Sequence, residues 1–381
     1  MKNVKVVIGA NFGDEGKGLT TSYFSSQNYN SLNILHNGGP QRGHTVNNYA
    51  FHAYGSSSFQ NIPTCYYKTF MINPIAIVQE NYNIQEKFGN KYFLPKIFVD
   101  ENCPLTIPYD IMINRFIEKV RGNNRHGSCG MGIWETYLRH KEYPLYAKDL
   151  KNPFELFYKI KEIYENYLPK RTRELNIDNW VPQVSMDGFF DACNKCLNLI
   201  TFFNNETNIF DNYDTLIFEG SQGLLLDEDN KEYYPNITAS ATGSKNISKF
   251  INTLSKDVDI EICYVTRSYM TRHGAGKFET ECHREDINSF IEDKTNIPNE
   301  FQGTLRFGWL DLHLLQNSIK NDLQYYTRPI KVSLAITQLN YTNYKLACGK
   351  NNYQDVSIVK NWNIFDNIYL SDNKYDLKKY I

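Results

Sequence analysis

An α/β fold with a mainly parallel central sheet flanked by helices, spanning residues 1–381 as one domain, is predicted by two features of the sequence. Four short β-branched or apolar runs, Val4–Gly9, Thr215–Gly220, Ile260–Thr266 and Val332–Leu339, read as buried strands that each run into a polar loop. Between them lie stretches of helical character, such as Phe154–Tyr167 and Asp187–Phe203, of the kind that parallel strands need as crossovers. In such a sheet, ligand loops gather at the carboxyl ends of the strands.

Composition narrows the function. An apolar content of 41% suits a packed globular chain. The 41 basic and 42 acidic residues leave a net charge of −1, so no cationic surface for nucleic acid is expected. No run approaches the ~20 apolar residues that span a bilayer, and the first strand lacks the character of a targeting signal, so no membrane partner and a cytoplasmic location are expected. Cys193 and Cys196 form a single C-x-x-C without a second pair. They read as two small apolar residues one helical turn apart rather than as a metal or redox site.

The first strand runs into Gly9-Ala-Asn-Phe-Gly13-Asp14-Glu15-Gly16-Lys17-Gly18. Strand, glycine-rich turn with lysine, then helix is a phosphate-binding order. Glycines let backbone N–H groups approach phosphate oxygens, and the helix start adds a favourable dipole. Lys17 supplies a point charge. The spacing is not that of a standard P-loop, and Gly18 stands where a Mg²⁺-holding hydroxyl is usual. Asp14 can substitute as an oxygen ligand, or act as a base beside a bound nucleotide. A second loop, Asn37-Gly38-Gly39-Pro40-Gln41-Arg42-Gly43-His44-Thr45, sets a histidine among glycines. There it can approach a phosphate or a carbonyl oxygen and donate to developing charge.

These two loops resemble the adenylosuccinate synthetase family, whose members carry G-D-E-G-K-G and, some thirty residues on, G-G-x-x-x-G-H-T. Further segments continue the likeness. Gly127-Ser128-Cys129-Gly130-Met131-Gly132-Ile133 is similar to G-T-T-G-x-G-I, and Phe218-Glu219-Gly220-Ser221-Gln222-Gly223 to F-E-G-A-Q-G. Tyr234-Pro235-Asn236-Ile237-Thr238 looks like Y-P-x-V-T, Thr271-Arg272-His273-Gly274-Ala275-Gly276 like T-R-V-G-A-G, and Gly308-Trp309-Leu310-Asp311 matches G-W-L-D. Together the motifs cover roughly residues 1–345.

The resemblance implies a ligase that joins L-aspartate to C6 of a purine nucleotide, driven by ATP or GTP. Asp14 matches the residue that takes the purine N1 proton and ligates Mg²⁺, His44 the one that protonates the 6-oxygen, and Lys17 the phosphate-binding cation. Gly43 would offer its carbonyl to the metal. Gly13, Glu15, Gly16, Gly18 and Thr45 fall in the nucleotide loops. Asn37, Gln41, Ser128, Cys129, Gln222 and Thr238 match positions around the base and 5′-phosphate. Gln338 and Asn340 match the donor-base segment. Thr271, Arg272, Gly303, Thr304 and Arg306 match the aspartate site, with the Arg306 fork suited to a dicarboxylate. Family members are homodimers in which an arginine reaches the partner's nucleotide, and Arg139 lies in the matching region.

Two departures bear on substrate. Thr304 and Leu305 replace two arginines of the aspartate loop, one of which reaches the ribose 2′-hydroxyl, so a deoxyribose is expected to be tolerated. Asn340 replaces a guanine-reading aspartate, and its mixed donor and acceptor suit adenine, hence ATP or dATP. Both departures resemble a phage branch that joins aspartate to dGMP, but that branch has a small hydroxyl residue where this chain keeps Asp14. The first reading is therefore an inosinate acceptor, IMP or dIMP, with dGMP the alternative. Rival classes are a nucleotide sensor without catalysis and a P-loop kinase or GTPase. The joint presence of Asp14, Lys17 and His44 opposes the first, and the missing hydroxyl after Lys17 opposes the second.

Overall fold

The computed structural model describes residues 3–28, 30–89, 94–177, 180, 184–292 and 303–381. Its centre is a ten-stranded sheet built from β1 (Asn3–Gly9), β2 (Ser31–Leu35), β3 (Thr64–Tyr66), β4 (Ile97–Asp100), β5 (Ile200–Phe203), β6 (Thr215–Gly223), β7 (Asp259–Arg267), β8 (Lys331–Thr337), β9 (Asn367–Leu370) and β10 (Lys378–Lys379). Their spatial order is β10-β9-β8-β7-β1-β6-β2-β3-β4-β5. Every pairing is parallel except β9 with β10.

The four strands legible in the sequence, β1, β6, β7 and β8, are contiguous at the centre of this sheet. Covered on both faces, they carry near-continuous apolar runs. Val6 of β1 pairs with Phe218 on one side and Ile262 on the other. The outer strands are shorter and mix in polar residues, which hides them. Asn33 of β2, for example, is fully buried because its side-chain oxygen accepts from Ser57 N at 3.3 Å.

Two expected boundaries are corrected. The helix expected over Asp187–Phe203 is a helix only over Met186–Leu197, and Ile200–Phe203 is a strand paired with Ile97–Asp100. Ile200, Thr201, Phe202 and Phe203 are β-branched or aromatic, and the open sheet edge at β4 decides their state. The last central strand stops at Thr337 rather than Leu339, because Gln338 turns into the left-handed region with φ 62°. The stretch from Pro153 continues through a π-helical turn, Ile163–Tyr167, into Leu168–Glu174.

The sheet carries two large apolar cores. One centres on Val6, Phe218, Ile262 and Leu334, the other on Tyr66, Val99, Ile113 and Phe189. Cys193 and Cys196 belong to the second, and burial pushes the Cys193 thiol up to about 12. Among the described residues no helix is long and apolar enough to cross a membrane.

Arg139, the match to a partner-reaching arginine, is fully buried within its own chain. Its fork meets both oxygens of Asp110 at 2.9 Å, and it also donates to the carbonyls of Leu105 and Tyr143 at 2.6 and 2.9 Å. It therefore ties helix Ile133–Glu142 to helix Pro108–Arg121 and cannot reach a second subunit. Removing one member of such a pair strands a buried charge. Asp110→Ala is expected to cost about 3–5 kcal/mol in urea unfolding.

His36, just past β2, is also fully buried, and neither ring nitrogen has a partner. Burial, with help from Arg42, lowers it to about 3. A depressed imidazole stays neutral in the fold while the unfolded chain takes up a proton below about 6.5, so stability falls as the pH drops through that window. Moving from pH 7.5 to 5, His36→Leu is expected to gain about 2 kcal/mol over the parent in urea unfolding.

Candidate active site

The loop after β1 is clamped between the ends of β7 and β8. Asn11 donates through its amide nitrogen to Thr266 Oγ1 at 2.9 Å, and its backbone N–H donates to Glu15 Oε1 at 2.7 Å. Arg267 Nε donates to the Asp14 carbonyl, and Thr337 Oγ1 to the Glu15 carbonyl at 2.8 Å. Gly13, Asp14 and Gly16 take φ values of 95°, 57° and 100°, which forms a tight cradle. Helix α1 (Lys17–Ser26) follows with Gly16 as its cap and no side-chain bond there, so its first N–H groups are open to an anion.

Lys17 and Glu15 fold back over Gly9, where an added Cβ would sit 3.0 Å from Lys17 Nζ and closer still to Glu15. Both side chains are buried, and Lys17 forms no ion pair among the described residues. Burial pushes Lys17 down, against Glu15 and Asp14, and pushes Glu15 up to about 8, against Lys17. A buried ammonium that forms no close ion pair is suited to take an anion at the cradle.

The second loop sets His44 against the start of α1. A Cβ at Gly18 would lie 3.1 Å from His44 Cβ. His44 Nδ1 lies 2.5 Å from both Glu219 Oε1 and Arg42 Nη2. Ser56 donates to the same carboxylate from its hydroxyl and from its backbone N–H. Burial alone would raise the Glu219 carboxyl, but Arg42, His44 and Ser56 outweigh it and hold it at about 2. Burial, reinforced by Arg42, lowers His44 to about 3. With Nδ1 engaged by this pair, Nε2 is the ring nitrogen left for a ligand.

A cavity of about 440 Å³ adjoins these loops. Gln41, Ser128, Cys129, Gln222 and Thr238, all expected around the base and phosphate, are among the residues that line it. Gln41 Nε2 donates to Gln222 Oε1 at 3.1 Å, so the two amides form a polar floor. Asn37 exchanges two hydrogen bonds with the Ser221 backbone, at 2.7 and 3.0 Å, and so shapes the Gln222 turn from behind. Volume and lining suit a small polar ligand.

Asp14 and His44 themselves lie outside this lining. Asp14 is reached through His273, whose Nε2 is 3.9 Å from Asp14 Oδ2 and whose ring belongs to the cavity wall. Asp14 acts electrostatically on Lys17, and Lys17 weakly on His44. Gly43 is exposed beside His52, and Thr45 sits half-buried in the short strand His44–Val46.

Thr271, Arg272 and Arg306 share a small antiparallel sheet, with Thr271 opposite Phe307 and Arg272 opposite Arg306. Arg306 forks onto Glu281 and donates to the carbonyls of Gly274 and Gly276. Arg272 stacks on Phe12, 4.4 Å from the ring centre, and donates to the carbonyls of Asn236 and Lys277. The Oγ1 of Thr271 and Nε of Arg272 are buried without partners. Gly303 takes φ 77° and Thr304 is exposed, while Gln302 lies outside the described residues. Gln338 and exposed Asn340 follow β8 outside the cavity, with the Gln338 carbonyl accepting from Ser268 at 3.0 Å.

Several site residues escaped sequence reasoning. Glu219 and Ser56 carry no motif signal for holding a histidine. Asn114 and Glu118, four apart on helix Pro108–Arg121, organise the 126–130 loop. Glu118 accepts from the N–H groups of His126, Gly127 and Ser128, and Asn114 bonds Ser128 Oγ at 2.8 Å. Their shared helical face was the available signal, and it has meaning only once the loop is known to lie on it.

A family profile described as adenylosuccinate synthetase matches residues 6–339. The adenylosuccinate synthetase of Buchnera aphidicola is 29% identical over 379 residues, covering 93% of this chain and 83% of that protein. That of Mesoplasma florum is 29% identical over 334 residues, covering 84% and 74%. Among solved structures, the fully ligated adenylosuccinate synthetase of Plasmodium falciparum superposes with a TM-score of 0.68 at 23% identity, covering 89% of this chain and 77% of that one. The cyanophage S-2L succinoaminodeoxyadenylate synthetase bound to dGMP and dATP superposes with a TM-score of 0.63 at 12% identity, covering 99% and 95%. At those identities the two structures speak for the fold. The profile covers most of the chain, and the chain belongs to the adenylosuccinate synthetase family of C–N ligases.

Proposed function

We propose that this chain joins L-aspartate to C6 of a 6-oxopurine 5′-nucleotide, IMP or dIMP, giving adenylosuccinate or its deoxy form, with ATP or GTP cleaved to diphosphate and phosphate. The carrying observation is the meeting of a phosphate cradle with unpaired, buried Lys17 and a nucleotide-sized cavity whose wall touches Asp14 through His273.

The chemistry balances on these residues. Asp14 takes the N1 proton as the purine 6-oxygen attacks the γ-phosphorus, and the bond to the β-phosphate oxygen breaks. His44 Nε2 faces the 6-oxygen, and Lys17 holds the transferring phosphoryl group. The aspartate amine then attacks C6, the C6–O bond breaks, and phosphate leaves with the former 6-oxygen. Phosphorylation thus turns a poor leaving group into a good one.

Mg²⁺ belongs to the same reading. Among the described residues no three His, Cys, Asp or Glu gather into a protein-only cage. One carboxylate, Asp14, and one carbonyl, Gly43, fit a cation held mainly through phosphates. When bound it neutralises phosphate charge. A homodimer and a cytoplasmic setting complete the proposal.

The dGMP reading keeps specific support: Thr304 and Leu305 in place of arginines, and Asn340 in place of a guanine-reading carboxylate. The test is a matrix of IMP, dIMP, GMP and dGMP against ATP and GTP, with Mg²⁺ and aspartate, read by mass for the succinyl product. Product from IMP or dIMP is expected. No succinyl product from any pair would overturn the proposal.

A further inference from the structure

Three chain segments meet at the corner where the sheet of Thr271 and Arg306 adjoins the cavity. Gly127 packs on the 274–275 backbone: a Cβ added at Gly127 would lie 2.8 Å from Gly274 Cα and 2.6 Å from Ala275 N. His126, Gly127, His273 and Ala275 all line the cavity, so this contact runs along its wall. The third segment, 303–306, joins through Arg306, whose Nη1 donates to the carbonyls of Gly274 and Gly276 at 3.2 and 2.9 Å.

A dicarboxylate bound at this corner calls for guanidinium forks, and the two forks of the small sheet are engaged within the protein. Arg306 gives Nε and Nη2 to Glu281 and Nη1 to the two carbonyls. Arg272 is buried, and its terminal nitrogens hold the carbonyls of Lys277 and Asn236. Its Nε, buried without a partner, offers a single N–H and no fork. Thr304 and Leu305 add no charge to the 303–306 loop.

Arg125 brings a further guanidinium to the same corner. It follows the turn Gly122–Asn124, and its backbone is held on both sides. The Arg125 N–H donates to the Gly122 carbonyl at 3.3 Å, and the N–H groups of His126 and Gly127 donate to Glu118 at 3.3 and 2.8 Å. The His126 carbonyl accepts from Asn236 Nδ2 at 3.1 Å, and the Asn236 carbonyl is the one that Arg272 holds. Arg125 is exposed, and its side chain reaches the 303–306 loop, where a Cβ built on Gly303 would lie 3.7 Å from Arg125 Nη2. Its charge thus stands against the backbone three residues before Arg306, on the solvent side of the corner.

The inference rests on the ligase reading above, in which aspartate is the amino-acid substrate. We propose that Arg125 is a further aspartate-binding residue: its guanidinium, held against Gly303, pairs with one carboxylate of the amino acid and supplies the charge that Thr304 and Leu305 do not. A planar fork matches the two oxygens of a carboxylate and keeps its charge at any working pH.

The test is steady-state kinetics on the full chain with Mg²⁺, ATP or GTP and the purine nucleotide that gives succinyl product. Arg125→Ala is expected to raise the KM for aspartate about tenfold to a hundredfold, the effect of losing a charged hydrogen-bonding partner, and to leave the KM for the purine nucleotide within about twofold. Arg125→Lys, which keeps the charge and loses the fork, is expected to recover part of the loss. Arg125 is exposed, so the variants keep the fold, and a structural defect would move both KM values together. An aspartate KM changed by less than about threefold overturns the inference, as does a rise in the nucleotide KM alone, which would assign Arg125 to a phosphate. If the parent forms no succinyl product, the ligase reading falls, and calorimetry on the nucleotide-saturated chain judges Arg125. Aspartate binding weakened about tenfold by Arg125→Ala then upholds the inference, and binding that is unchanged, or undetectable in the parent, overturns it.

Discussion

Asp14→Asn is expected to lower kcat by about 10³-fold or more while leaving the fold intact. The backbone there is left-handed, at φ 57°, a conformation that asparagine adopts as readily as aspartate. Arg267 grips the Asp14 carbonyl rather than the side chain, so the substitution leaves that clamp in place. What disappears is one negative charge and the only proton acceptor assigned to N1. Loss of a general base accounts for about 10²–10⁴-fold, and weaker metal ligation adds to it. A thousandfold loss corresponds to about 4 kcal/mol of barrier. The measurement is single-turnover formation of succinyl product, paired with a urea midpoint. A variant that folds normally and retains more than a tenth of the parent rate would remove Asp14 from the chemistry. A second readout follows the oxygen. With a nucleotide labelled at its 6-oxygen, the parent should release labelled phosphate and the variant should release almost none.

The central sheet was legible because its strands are buried on both faces and thus spell out unbroken apolar runs. The glycine-rich turn was legible because three positive φ values within four residues, at Gly13, Asp14 and Gly16, call for glycines or an aspartate. The outer strands were not legible. Asn33 is polar yet buried, and its bonds to the Ile217 carbonyl of the next strand and from the Ser57 N–H of a loop make that tolerable. Ile200–Phe203 read as a helix tail until β4 was there to pair with it. Within the site, single residues inside glycine loops were readable, whereas partners brought in from afar were not. Glu219 lies 175 residues from His44, and nothing local marks it as that residue's support. Arg139 illustrates the converse error. Its place in the region matching the family's partner-reaching arginine suggested a reach between subunits, but the fold spends it on Asp110, a partner 29 residues away that the sequence could not assign.

His44→Ala is expected to lower kcat by about 10²–10³-fold, the range for losing a positioned proton donor. The fold should survive, because Glu219 keeps Arg42 and both Ser56 donors when the imidazole is gone. Binding of the purine nucleotide should change little, since the cavity floor is made by Gln41 and Gln222 rather than by His44. The deeper expectation concerns the pair. Asp14 and His44 act on one step, the first on N1 and the second on the 6-oxygen, so neither helps much without the other. The combined variant should therefore be no more than about tenfold slower than Asp14→Asn alone, rather than slower by the product of the two losses. Full multiplicativity, measured by kcat across the four-member cycle, would mean that the two residues serve separate steps. The concerted picture, in which N1 loses its proton as the oxygen gains phosphorus, would then fail even if each single variant behaved as expected.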